Sequence, residues 1–257
     1  MTLDAGQVTK FIEDGFVCIT AAFPREIARR CVEIMWADTG CAPGDPATWT
    51  RPLVRLPGYD TEPFRTVARM PVLERAFDQL AGRGRWVRRS GIGPCAVRFP
   101  NPEPPDDDYW HFEGSYVPAG WAGHSLTNFR SRGRALLMLY LFTDVGERDA
   151  PTRIRVGSHR AVPARLLPYG DDGVDATRIG ETGVLEATAG SPIAYATGHA
   201  GDVYLCHPFL IHAAQANHGE TPRFLAQPAL EPAGALDIEH GRSPVERAIR
   251  LGLDDAG

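Results

Sequence analysis

Lysine is almost missing from this chain: of 27 basic residues only Lys10 is lysine, and the other 26 are arginine. Basic residues are also outnumbered, with 32 acidic side chains and a formal charge of −5. That balance leaves no global positive field for nucleic acid or for an anionic membrane surface. No apolar run reaches the roughly 18 residues that a membrane-spanning helix needs. The stretch Met1–Asp14 lacks the basic start and apolar middle of a secretory signal. Cysteine is scarce and oddly numbered: Cys18, Cys31, Cys41, Cys95 and Cys206 contain no C-x-x-C pair. Reduced thiols in a cytoplasmic protein are therefore expected.

What the chain does have is glycine and proline, 27 and 22 residues respectively, beside a hydrophobic fraction of 43%. The hydrophobic fraction is enough for a sizeable core and excludes global disorder. The glycine and proline content disfavours a helical bundle, because both residues interrupt helices and mark turns. The first third reads as mixed and largely helical. Phe16–Ile19 is an apolar strand, and Pro24 opens a helix with Ile27, Cys31, Ile34 and Met35 at helical spacing. A second helix follows Pro63, carrying Phe64, Val67, Leu73, Phe77 and Leu80 and kinked or split by Pro71.

From Arg85 onward short apolar segments alternate with turn-rich loops, the texture of an all-β sandwich or barrel. Ala96–Phe99, Ala135–Phe142, Ile154–Val156, Asp202–Cys206 and Phe224–Leu225 are the clearest. Ser243–Pro244 has the composition of a helix start. One domain over 1–257 is expected: a mostly helical part (1–84), a β core (85–230) and a tail with a helix (231–257). Three long loops, at 100–109, 114–133 and 168–183, call for a functional reason. Within the first, Asp106, Asp107 and Asp108 read as a solvated acidic turn.

Two H-x-[DE] triplets occur, His111-Phe112-Glu113 and His218-Gly219-Glu220. The second lies in turn composition, whereas the first enters an apolar-aromatic stretch. If that stretch is extended, residues 111 and 113 share one face and can grip a single ion. A facial set of two histidines and a carboxylate leaves open positions on non-haem iron(II) and needs one more imidazole. His207 and His212, after the strand Val203–Cys206, are the candidates. Arg223 begins a later apolar strand, where a guanidinium can take a carboxylate bidentately in a dry site.

His111-Phe112-Glu113, His212 about a hundred residues later and Arg223 eleven further on resemble the phytanoyl-CoA dioxygenase family. Gly157-Ser158-His159 resembles the family's G-S-H turn, and Gly201-Asp202 through His212-Ala213 its distal-histidine strand. The resemblance implies a double-stranded β-helix, or cupin-like jelly roll, mainly β with flanking helices. It implies His111, Glu113 and His212 as ligands of Fe(II), with Arg223 on the distal carboxylate of 2-oxoglutarate. His207 then falls to a supporting or structural role. Arg98 and, more weakly, Thr152 are further co-substrate contacts, and Trp110, Tyr116 and Trp121 candidate pocket walls. The implied reaction consumes 2-oxoglutarate and O2, releases succinate and CO2, and oxidises a C–H bond of a small molecule.

Two departures from the family pattern stand out. Glu113 replaces the usual aspartate, and Ala214 stands where many members carry a serine. A retained carboxylate argues for hydroxylation or another oxidation over halogenation. Two other classes stay open on sequence: a catalytically silent jelly-roll binding protein, and a cupin-like metal-dependent lyase or isomerase that would not need Arg223.

Overall fold

A computed structural model describes residues 3–255. Its helices are α1 (Ala5–Asp14), α2 (Arg25–Thr39), α3 (Phe64–Ala68), α4 (Pro71–Ala81), α5 (Val162–Leu166), α6 (Val184–Ala187) and α7 (Pro244–Asp254). The strands of the first half are β1 (Phe16–Ile19), β2 (Leu53–Leu56), β3 (Cys95–Arg98), β4 (Leu126–Thr127), β5 (Leu136–Leu141) and β6 (Arg153–Arg155). Those of the second half are β7 (Val174–Asp175), β8 (Ile193–Tyr195), β9 (Val203–Cys206), β10 (His212–Ala213), β11 (Arg223–Ala226) and β12 (Ala229–Leu230).

The larger sheet runs β1-β9-β5-β11-β3-β2, with β12 also on β5, and the smaller sheet runs β10-β6-β8. Every pairing between named strands is antiparallel. Two facing antiparallel sheets with helices outside the larger one are the expected jelly roll with flanking helices. Residues 1–84 contribute more than helices, because β1 and β2 form both edges of the larger sheet.

The central strand β5 explains how the layers hold together. All six of its residues are buried, so it cannot show the apolar-polar alternation of a half-exposed strand. Leu136, Met138 and Tyr140 face the helices, in one apolar cluster with Phe11, Phe23, Met35, Phe64 and Phe77. Leu137, Leu139 and Leu141 face the smaller sheet, packing with Ile154, Cys206, Leu210 and Leu225. A strand covered on both sides reads as a continuous apolar run.

The helices are anchored by their ends. Asp4 and Gln7 form a capping box at α1, and Ser243 and Glu246 form another at α7. Glu246 is fully buried and its carboxylate takes the Arg85 guanidinium at 2.8 Å. Pro71 sits in the first turn of α4, where a missing N–H costs no helical bond, and so separates α3 from α4.

Gly15 closes α1 with φ at 89°, and a Cβ there would lie 2.5 Å from His159 Nδ1. Gly15→Ala is therefore expected to destabilise the protein by about 2–4 kcal/mol, from the left-handed backbone and from overpacking. The readout is the urea midpoint, and an unchanged midpoint would refute this account of α1 docking.

Candidate metal centre

The centre is built on a backbone bridge. His111 N–H donates to the His212 carbonyl at 3.0 Å and His212 N–H returns a bond to the His111 carbonyl at 2.9 Å. This reciprocal pair adds residue 111 to the edge of the smaller sheet beside β10. Directly opposed residues in such a pair project to the same face, and the two imidazole centroids lie 4.5 Å apart. Glu113, two residues on, shares that face. Its Oε1 lies 3.9 Å from His111 Nε2 and 3.7 Å from His212 Nε2.

Each imidazole is oriented through its other nitrogen. His111 Nδ1 pairs with the Tyr109 carbonyl at 3.0 Å and His212 Nδ1 with the Leu210 carbonyl at 2.9 Å. A carbonyl accepts only from a protonated Nδ1, so in a neutral ring the free lone pair lies on Nε2, the atom that each ring turns toward Glu113. His212 Nε2 is buried and has no hydrogen-bond partner. One ligand atom from each of His111, Glu113 and His212 lies within 4.8 Å of the others. An orphaned imidazole lone pair beside a second imidazole and a carboxylate suits a divalent cation of borderline softness. Burial, then the neighbouring His212, pushes His111 down to about 4, so its imidazole is neutral at physiological pH. Burial raises the Glu113 pKa, but the facing His212 imidazole and the Arg134 charge outweigh it, and the group sits at about 2, ionised.

The larger sheet supplies a second, cationic wall. Interior-facing residues of β3 and β11 fall in register, so Arg98 lies opposite Arg223. Both guanidiniums are buried in one cavity of about 290 Å3 that also holds His111, Glu113, His212 and Thr152. Arg223 Nη1 donates to the Ala150 carbonyl, which a left-handed backbone at Ala150 (φ 52°) turns inward. Arg223 Nε and Arg98 Nε and Nη1 have no partner. Burial and the adjacent Arg98 lower the Arg223 pKa well below its usual value. Three arginines (Arg55, Arg98, Arg223) against two carboxylates (Asp107, Glu113) leave the cavity short of negative charge.

The remaining sequence candidates divide. Ala214 lines the cavity as expected, and Ser125 and Gln227, which no motif marked, stand on the same wall. Asp107 is not a solvated turn residue: it takes Arg98 Nη2 at 2.7 and 2.8 Å and Arg55 Nη2 at 2.6 Å. A buried guanidinium at the end of β3 draws the carboxylate inward. Trp110 alternates with His111 and points away from the cavity, where Arg153 and Arg155 lie 5.0 and 4.6 Å from its ring centre. Tyr116 and Trp121 line a separate groove with Arg132 and Arg178. His207 is buried away from the centre, its ring 4.8 Å from that of His159. Arg134, unmarked in the sequence, lies with Nη2 3.8 Å from Glu113 Oε2.

The phytanoyl-CoA dioxygenase family model matches residues 56–225. This chain belongs to the phytanoyl-CoA dioxygenase family. Among solved structures, the non-haem α-ketoglutarate-dependent carbocyclase SnoK from nogalamycin biosynthesis is similar at 16% identity and a TM-score of 0.62, over 91% of this chain and 86% of that one. HygX from Streptomyces hygroscopicus, solved with nickel, 2-oxoglutarate and hygromycin B, aligns at 16% identity and a TM-score of 0.55, over 90% and 88%. EctD from S. alaskensis aligns at 19% identity and a TM-score of 0.52, over 95% and 80%. These likenesses establish the fold as the jelly roll of 2-oxoglutarate-dependent enzymes. A search of curated proteins found no match.

The His159–His207 pair gives the protein an acid limit of its own. Burial pushes His159 down to about 4, and burial together with His159 holds His207 well below its usual value. In the unfolded chain both titrate near about 6.5. As pH falls below that value the unfolded state gains protons first, so stability present at neutral pH is lost progressively toward pH 4. The expected slope is about 1.4 kcal/mol per pH unit per histidine. Urea unfolding of metal-free protein between pH 7.5 and 5 measures it, and His159→Gln should remove one histidine's share. A stability independent of pH over that interval would contradict the assignment.

Proposed function

We propose that this single-domain protein is an Fe(II)- and 2-oxoglutarate-dependent dioxygenase that oxidises a C–H bond of a small molecule, releasing succinate and CO2. One observation carries the reading. The His111, Glu113 and His212 ligand atoms converge in the same cavity into which Arg98 and Arg223 turn unpaired N–H groups. A triad that would hold a metal and a pair of buried guanidiniums in one cavity suit a co-substrate with a carboxylate at each end, such as 2-oxoglutarate. A metal-dependent lyase or isomerase would not need the second, buried cationic wall.

His111, Glu113 and His212 would hold the iron. The iron with its co-substrate supplies the oxidising power, and the chain's own groups set where it acts. Arg223, fixed by the Ala150 carbonyl, would take the distal carboxylate, with Arg98 beside it and Thr152 on the wall between the sheets. Charge neutralisation by two buried guanidiniums favours a dianion over a neutral molecule. Retention of Glu113 as a ligand favours hydroxylation or a related oxidation over halogenation. The free cysteines fit a reducing compartment, and we place the protein in the cytoplasm. Among the described residues no helix is long and apolar enough to cross a membrane.

Fe(II), ascorbate and 2-oxoglutarate should yield succinate, slowly without substrate and faster with it. His212→Ala should abolish metal binding. Arg223→Gln should leave metal affinity intact but weaken 2-oxoglutarate by about 10–100-fold, the worth of a lost charged hydrogen bond. Isothermal titration reads both constants. Protein that binds iron but neither binds nor consumes 2-oxoglutarate would sink the proposal.

A further inference from the structure

Arg134 is a buried guanidinium with no motif, no place on the cavity wall and little to bind. It immediately precedes the apolar run of β5, and its Nε and Nη1 are buried without partners. Its contacts are the Gly114 carbonyl, 3.4 Å from Nη2, and the Glu113 carboxylate, whose Oε2 is 3.8 Å from the same nitrogen. Glu113 turns its other oxygen, Oε1, toward His111 and His212. The carboxylate thus divides its two oxygens between the imidazole pair and the guanidinium.

We propose that Arg134 is a positioning residue for Glu113: it holds Oε2 and so presents Oε1 alone to the metal as a one-oxygen ligand. The inference rests on the metal reading above and deepens it. It also accounts for glutamate at this position. A shorter aspartate would withdraw the carboxylate by about 1.5 Å, one carbon–carbon bond, and could not serve both Arg134 and the two imidazoles. Burial of a cation costs free energy unless an anion faces it, and Glu113 is the carboxylate that faces Arg134. Second partners of metal ligands commonly change metal affinity 10–100-fold without touching the ion.

Co(II) binding to metal-free protein tests this without turnover, by titration calorimetry and by the visible spectrum of the bound ion. Arg134→Gln keeps a donor for the Gly114 carbonyl but removes the charge. It is expected to weaken Co(II) by about 10–100-fold and to alter the spectrum as both carboxylate oxygens become free to bind. Arg134→Lys should recover most of the affinity. Glu113→Asp should also lose affinity, and Arg134→Gln added to it should cost little more, because the pair is already separated. Unchanged Co(II) affinity and spectrum in folded Arg134→Gln would overturn the inference, as would full independence of the two substitutions. If Arg134→Gln does not fold, wild-type Co(II) affinity in Glu113→Asp overturns it on its own. Wild-type protein that binds no Co(II) overturns the metal reading and this inference with it, a result distinct from loss in the variants alone.

Discussion

The reciprocal backbone bond between His111 and His212 is the constraint on which the centre depends. It joins the end of a long proline-rich loop to the edge of the smaller sheet, and it does so with main-chain groups. The side chains therefore inherit their relative placement from strand geometry rather than from their own weak rotamer preferences. Once that pair is closed, Glu113 must share the face, because extended residues two apart project together. The Tyr109 and Leu210 carbonyls then settle which ring nitrogen is free. Three candidate ligand atoms converge because sheet pairing has already positioned them.

The larger sheet serves the opposite end of the cavity by the same logic. Its inner strands β3, β5, β9 and β11 are buried on both faces, so alternation sends one set of side chains to the helices and the other into the barrel. On β3 and β11 that alternation sends Cys95, Val97, Phe224 and Ala226 outward, and Arg98 and Arg223 inward. Two guanidiniums side by side in a dry interior repel and are poorly solvated, a cost compensated in part by Asp107 and the Ala150 carbonyl. The uncompensated remainder leaves the cavity with an excess of positive charge.

Elements with local causes were legible in advance. The division at Pro71, the Ser243–Pro244 helix start, the strand at Phe16–Ile19 and the apolar run of β5 all follow from neighbouring residues. So did the better of the two H-x-[DE] triplets, since turn composition around His218 separated it from His111. Asp107 was misjudged, and the pocket-wall reading of Trp110 failed, for a shared reason. A loop's acidic run looks solvated until a buried guanidinium is known to lie beside it. An aromatic next to a ligand looks like a pocket wall until strand alternation turns it outward. Arg134 was invisible because one arginine among many, at a loop-to-strand border, has no local signature.

By itself the sequence determined the class of fold, the residue types at the centre and the family pattern that orders His111, Glu113, His212 and Arg223. Those depend on spacing and periodicity, which are properties of the chain. Tertiary structure alone decided that Arg98 faces Arg223, that Asp107 turns inward and that His207 pairs with His159 rather than facing the His111–Glu113–His212 cluster. It also set Arg134 against the second oxygen of Glu113. Each of these depends on which strands become neighbours and in what register, and no local preference encodes that.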